Sequence, residues 1–152
     1  MRYYLSLGSN MGDREQTLRA ALTMIEQQIG SVPRRSSLYY SAPWGFDSPN
    51  EFCNLCCLVE TDLDPMAMLR AAQSIEQALG RTHKSIDGIY HDRQIDIDLI
   101  RAFDEENKEI KLQISNHQSP ITNPSLLTLP HPLWQERDFV RIPLMEIFPS
   151  LL

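Results

Sequence analysis

From Gln94 to Leu99 the chain alternates strictly between polar and apolar residues, the period of a β-strand and not of a helix. Within Arg93–Ile100, Ile95, Ile97 and Leu99 therefore share one face, and Gln94, Asp96 and Asp98 share the other. Carboxylates two positions apart on one side of a strand stand roughly 6–7 Å apart. Their repulsion is unfavourable in a half-buried site unless a cation lies between them. Oxygen-only donors of this kind suit Mg²⁺, which takes one or two carboxylates together with substrate phosphates. The alternative is the solvated face of an edge strand, although Asp is depleted in strands.

Tyr3 to Gly8 alternates in the same way and predicts a first strand, with Tyr3, Leu5 and Leu7 on one face. A turn follows through Gly8-Ser9-Asn10-Met11-Gly12-Asp13. It lacks the Gly-Lys-Ser/Thr ending of a phosphate loop. Asp13 caps a predicted helix from Arg14 to Ile29, in which Leu18, Leu22, Ile25 and Ile29 recur at helical spacing and Gly30 forms the C-terminal cap. Val32 to Tyr40 predicts a second strand, and Ser41 to Asn50 a loop that carries Trp44 and Phe46. Phe52 to Thr61 predicts a third strand, with Cys53, Leu55, Cys57 and Val59 on one face and Phe52 and Asn54 on the other.

Asp64 and Pro65 open a second helix that runs to Leu79, with Leu69, Ala72, Ile75 and Leu79 as its apolar stripe and Gly80 as its stop. Gln73 and Glu76 are neighbours on one flank of that helix, which by itself reads as solvated surface. A basic cluster, Arg81-Thr82-His83-Lys84, and a polar loop lead to the Asp96/Asp98 strand. Beyond an acidic turn at Asp104–Asn107, Glu109 to Ile114 predicts another strand. Leu126 to Pro132 predicts a short extended piece broken by prolines, and Leu133–Arg141 and Leu144–Phe148 two short helical pieces. The order βαββαβ defines an α+β, ferredoxin-like antiparallel sheet with both helices on one face, the other face open, and an irregular, partly helical C-terminal extension.

Length and composition narrow the classes of function. A chain of 152 residues with 42% hydrophobic and 22% charged residues suits one soluble domain with its own core, here residues 1–152. A net charge of −6 leaves no broad basic face, so nucleic acid is not the expected partner. No apolar run reaches the length of a membrane span, and Met1-Arg2-Tyr3-Tyr4-Leu5 runs straight into a strand pattern without a signal peptide. Cys53, Cys56 and Cys57 lie on a predicted strand, where residues three apart face opposite ways; buried thiols in a reducing cytoplasm fit better than a zinc or redox site.

Taken in order, Leu7-Gly8-Ser9-Asn10, Phe52-Cys53-Asn54, Gln73-x-x-Glu76 with Gly80-Arg81, Arg93-x-x-Asp96-x-Asp98-Leu99-Ile100, Leu129-Pro130-His131 and Arg137-Asp138-Phe139 span nearly the whole chain. Together they resemble the 6-hydroxymethyl-7,8-dihydropterin pyrophosphokinases of folate biosynthesis. Arg-x-x-Asp-x-Asp with a downstream Pro-His is the specific part. The resemblance implies transfer of the pyrophosphoryl group of ATP, as co-substrate, to the pterin hydroxymethyl oxygen, with AMP leaving. It implies that Asp96 and Asp98 hold two Mg²⁺ ions, and that Arg93 and Lys84 act with them on the phosphates. Gln73, Glu76, Arg81, His83, Arg93, Thr128, His131 and Arg137 would line the nucleotide side. Phe52, Asn54, Ala42, Pro43, Trp44 and Phe139 would hold the pterin, the rings by stacking and Asn54 through its carboxamide. His91-Asp92 before the signature Arg, and Leu126 two before Thr128, depart from the usual pattern.

Two rivals belong to other classes. A non-catalytic ligand-binding module could use the same fold. A metal-dependent phosphohydrolase or nuclease would show a similar acid pair, but an acidic chain without a basic groove does not suit a polymer substrate. The expectation is a cytoplasmic, stand-alone monomer acting on small molecules, with neither nucleic acid nor membrane as partner.

Overall fold

The structure is a computed structural model that describes residues 1–45, 48–80, 94–115 and 125–148. Its main sheet is antiparallel with strand order β2-β4-β1-β5. Here β1 is Arg2–Ser9, β2 Ser31–Arg35, β4 Phe52–Glu60 and β5 Asp96–Phe103; β3, Tyr39–Ser41, also pairs with β4. Helices α1, Arg14–Gln28, and α2, Pro65–Ala78, pack on one face. This is the ferredoxin-like arrangement that the element order implies. Both helix starts follow local chemistry: Asp13 accepts from the Gln16 N–H at 3.2 Å, and Asp64 accepts from the Ala67 N–H at 2.9 Å. Leu18, Leu22 and Ile25 of α1 and Met68, Leu69, Ala72 and Ile75 of α2 are buried against Leu5, Leu7, Leu55, Cys57, Ile97 and Leu99. The strand parities are those the alternation predicts.

Several expectations are corrected. The predicted second strand is two short strands, because Ser36 interrupts it. Its backbone N–H donates to the Cys56 carbonyl at 2.8 Å, and its buried hydroxyl accepts from the Cys56 N–H at 2.9 Å. Gly30 is not a left-handed cap. A Cβ there would lie 2.0 Å from the Glu60 carbonyl oxygen, so the residue must be glycine for a close backbone approach. Gly80 does take the left-handed conformation, with φ of 103° just past the end of α2. The strand predicted at Glu109–Ile114 is β6, Leu112–Ser115, and it pairs with β7, Ser125–Leu129, in a separate two-stranded sheet.

The far face of the main sheet is not fully open. The two predicted C-terminal pieces form a 3-10 turn at Trp134–Glu136 and one helix, α3, Asp138–Ile147, with Pro143 inside it. Val140, Leu144 and Ile147, at helical spacing, bury against Tyr4, Cys56, Leu58, Ile100 and Phe103. Arg34 donates to the Ile147 carbonyl at 3.2 Å, while the N–H and hydroxyl of Ser37 both donate to Glu146 at 2.9 Å. Helix α3 thus covers the half of the far face that lies away from Gly8. The second core it creates needs residues of two kinds on one strand, and a bulge in β5 supplies them. Leu5 pairs with Leu99 but Tyr4 pairs with Arg101, so Ile100 is the extra residue. Alternation resets there: Leu99 and Ala102 belong to the helix-side core, Ile100 and Phe103 to the core under α3.

Substitution Gly30→Ala is expected to destabilise the protein by about 1–3 kcal/mol, because the clashing atom is backbone and cannot swing aside. Chemical denaturation of the two proteins checks this; a change below about 0.5 kcal/mol would show that the Ile29–Thr61 junction yields easily.

Candidate active site

On the part of the far face that α3 leaves uncovered, one row of residues crosses three strands. Asn54 of β4 is the Cα partner of Gly8 of β1, and Gly8 is the partner of Asp96 of β5. The next row is Cys56, Ser6 and Asp98. Asn54 and Asp96 therefore stand two strand spacings apart, about 10 Å. Asp96 and Asp98 are half-buried and flank Ile97, whose side chain is buried on the opposite face.

Asn54 is 2% exposed, and its orientation is fixed. Its amide nitrogen donates to the Tyr39 carbonyl at 3.0 Å and to the Ser41 hydroxyl at 2.8 Å. Both amide protons are thereby engaged, and Oδ1 faces Gly8. A Cβ on Gly8 would lie 2.9 Å from that oxygen and 3.5 Å from Phe52 Cδ1. Gly8 is thus the floor between the carboxamide and the carboxylates, kept low by its missing side chain. Strand alternation already puts Gly8 on the face of β1 that carries Ser6, together with Phe52, Asn54, Asp96 and Asp98; the register adds that it stands directly between Asn54 and Asp96.

The loop after β3 reaches the start of α3. Arg137, 7% exposed, places its guanidinium carbon 4.3 Å from the centre of the Trp44 ring and 5.8 Å from that of Phe139. Ala42 is exposed and Pro43 half-buried in the same loop. Asn10, 3% exposed, donates to the Asn50 carbonyl at 3.3 Å, and Arg14 donates to the Glu51 carbonyl at 2.7 Å. The start of α1 therefore holds the returning end of the loop. None of these long-range pairs has a signal in local sequence.

His131 sits beside β5 because its N–H donates to the Ile100 carbonyl at 2.8 Å, at the bulge. Its Nδ1 accepts from the Leu133 N–H at 3.1 Å, which puts the ring proton of the neutral imidazole on Nε2. Thr128 lies half-buried on β7. Gln73 is half-buried on α2. Glu76 corrects the solvated-flank expectation: it is 3% exposed, and its Oε2 accepts from the Ile97 N–H at 2.8 Å. The signal was present, since Glu76 stands seven after Leu69 and four after Ala72, both core residues of α2. Gln94 enters β5 with its side chain close to both the Gly12 turn and Gly80, each 3.6 Å from a Cβ built there. The structure thus brings Asn54, Phe52, Asp96 and Asp98 onto one patch and sets Trp44, Arg137 and Phe139 together beside α3. Arg81, His83, Lys84 and Arg93 lie outside the described residues.

The cysteines are buried and form no site. Burial raises the thiol of Cys57 to about 12 and pushes those of Cys56 and Cys53 upward as well. Among the described residues no group of three or more His, Cys, Asp or Glu side chains could hold a metal ion.

Fold and site together describe a ferredoxin-like α+β protein in which one end of the sheet carries a carboxylate pair and a carboxamide on the same face. Comparison with known proteins narrows this description. The family model for 7,8-dihydro-6-hydroxymethylpterin-pyrophosphokinase matches residues 4–149. A 2-amino-4-hydroxy-6-hydroxymethyldihydropteridine pyrophosphokinase of Porphyromonas gingivalis is 42% identical over 148 residues, covering 97% of this chain and 91% of the relative. One of Bacillus subtilis is 36% identical over 145 residues, 95% of this chain and 76% of the relative. Among solved structures, an HPPK-DHPS in complex with substrates superposes with a TM-score of 0.69 at 18% identity, and a Plasmodium falciparum HPPK-DHPS with 0.72 at 17%. This chain is 97% covered in both and spans 40% and 42% of those longer chains. The chain belongs to the 7,8-dihydro-6-hydroxymethylpterin-pyrophosphokinase family.

If the thiols are as enclosed as this, a thiol reagent at neutral pH will label fewer than one cysteine per native chain and all of them after denaturation. Prompt labelling of Cys53 or Cys56 in the native protein would contradict the packing of β4.

Proposed function

We infer that this chain transfers the pyrophosphoryl group of ATP to the hydroxymethyl group of 6-hydroxymethyl-7,8-dihydropterin, giving AMP and the pterin diphosphate in folate biosynthesis. The observation that carries the reading is the row Asn54–Gly8–Asp96, which sets a ring-recognising carboxamide about 10 Å from a carboxylate pair across a glycine floor. That spacing leaves the acceptor hydroxymethyl above Gly8 and the phosphates above β5.

The donor set fits Mg²⁺: two half-buried carboxylates on one strand face, both oxygen donors. Asp96 and Asp98 would hold it, and bound there it supplies neutralisation of the triphosphate and alignment of its oxygens. The chain's own groups do the rest. Asn54 accepts through Oδ1 from N–H groups at the amide-like edge of the pterin, since its amide protons are engaged by Tyr39 and Ser41. Phe52 and Phe139 stack on the flat ring, with Trp44, Pro43 and Ala42 at its rim. His131 donates from Nε2, and Arg137, Thr128 and Gln73 face the nucleotide. Arg137 touches both Trp44 and Phe139, so the nucleotide side and the pterin side share one guanidinium. Family likeness assigns Arg81, His83, Lys84 and Arg93 to the phosphates. Transfer to an alcohol competes with hydrolysis, so excluding water around the acceptor is part of the work of the aromatic rim.

Incubation with ATP, Mg²⁺ and the hydroxymethyl pterin is expected to give AMP in step with pterin consumption; ADP, pterin-independent phosphate or no product would overturn the reading. Asp96→Ala and Asp98→Ala should each lower turnover by about 10²–10³-fold, because charge on the phosphates loses its clamp. Activity within about tenfold of wild type in either variant would remove these carboxylates from the site. Asn54→Ala should weaken pterin binding by about 1–3 kcal/mol while leaving ATP affinity unchanged, as isothermal titration would read directly. Equal losses for both ligands would place the pocket elsewhere.

A further inference from the structure

Strand β5 carries the two carboxylates, yet it is the last strand of the main sheet among the described residues. An edge strand presents alternate N–H groups away from its neighbour, unpaired, and its backbone is correspondingly easy to displace. Ile97, between Asp96 and Asp98, pairs with Leu7 across β1, and its N–H is taken on the outer side by Glu76 of α2 at 2.8 Å. Glu76 is 3% exposed and lies at core spacing on α2, next to Ile75, which is fully buried. Its carboxylate is therefore turned inward against the backbone of the strand, not out toward solvent.

We propose that Glu76 is a positioning residue, a side-chain clamp on the outer edge of β5 that fixes the backbone between the two carboxylates. The physical reason is leverage. Asp96 and Asp98 diverge or converge with the pleat at Ile97, and a shift of about 1 Å in a charge clamp can cost on the order of 10²-fold in rate. Burial removes the water that would compete for the hydrogen bond to the Ile97 N–H. Gln94 supports the same end of the strand, with its side chain close to the Gly12 turn and to Gly80. The strand is thus held by α2 from its outer edge and by β1 from its inner edge, so the separation of the carboxylates is set before any ligand arrives. This role differs from the nucleotide contact that family likeness assigns to Glu76. It rests on the assignment of Asp96 and Asp98 as the metal-holding pair.

The clamp needs an acceptor atom at that place, not a charge, and this makes it testable by three variants. Glu76→Gln keeps an acceptor; Glu76→Ala removes it; Glu76→Asp is too short to reach. Amide hydrogen exchange of the metal-free protein reads the clamp directly. Exchange at Ile97 should quicken by at least tenfold in the Ala and Asp variants and stay within about threefold of wild type in Gln, while Leu5 and Leu7 remain protected in all. In the assay, Ala and Asp should need about tenfold more Mg²⁺ for half-maximal rate and lose about 10–100-fold in kcat, with the KM for pterin little changed; Gln should restore both. A Gln variant as impaired as Ala would make the charge itself the working feature and overturn the clamp. Unchanged exchange at Ile97 in the Ala variant would overturn it equally. If the exchange pattern appears but Asp96→Ala stays active, the clamp stands and the metal assignment fails.

Discussion

The antiparallel register of β1 with its two neighbours is the constraint on which the molecule depends. Side chains alternate across a strand, so a slip of one residue would exchange faces along its whole length. Pairing Gly8 with Asn54 on one side and Asp96 on the other sends Leu5, Leu7, Leu55, Cys57, Ile97 and Leu99 into the helix-side core. The same pairing delivers the polar residues to the uncovered face. Each fully buried aliphatic side chain contributes on the order of 1.5–3 kcal/mol. Slipping β5 would bury two carboxylates and expose Ile97 and Leu99, so the core also holds Asp96 and Asp98 on the opposite face.

The far face is divided between an end covered by α3 and an end that carries polar groups. Where α3 lies, Tyr4 stacks on Phe148 with ring centres 4.7 Å apart, and Arg101 is paired with Glu109 through two hydrogen bonds among Phe103, Trp134 and Phe148. That end is closed and apolar. The Gly8 end is left to groups held by hydrogen bonds: the Asn54 amide by the Tyr39 carbonyl and the Ser41 hydroxyl, the Ile97 N–H by the Glu76 carboxylate, and His131 by the Ile100 carbonyl and the Leu133 N–H.

Much of this was legible in the sequence, for physical reasons. Two-residue alternation placed Asp96 and Asp98 opposite Ile97 and Leu99 without any knowledge of the sheet. Asp13, Asp64 and Gly80 marked helix ends because capping is local. What stayed hidden depended on distant partners. The break at Ser36 is made by Cys56, twenty residues on. The gap between the two expected C-terminal helical pieces falls at Pro143, but packing against β4 and Tyr4 outweighs the local preference of a proline, and α3 runs through it. The contact of Arg137 with Trp44 joins segments that no periodicity links.

The bulge at Ile100 has a consequence for how this protein can drift over evolutionary time. A strand with one unbroken alternation transmits any change of length to every residue beyond it. In β5 the irregularity opposite Tyr4 and Leu5 already absorbs one extra residue, so the strand behaves as two modules joined by a slack point. The module from Arg101 onward, with its arginine, its rings and its docking to α3, can be rebuilt by substitution and small length changes without reversing the direction of Asp96 or Asp98. Variation among descendants of this chain should collect on the far side of that point, leaving the carboxylate half nearly still.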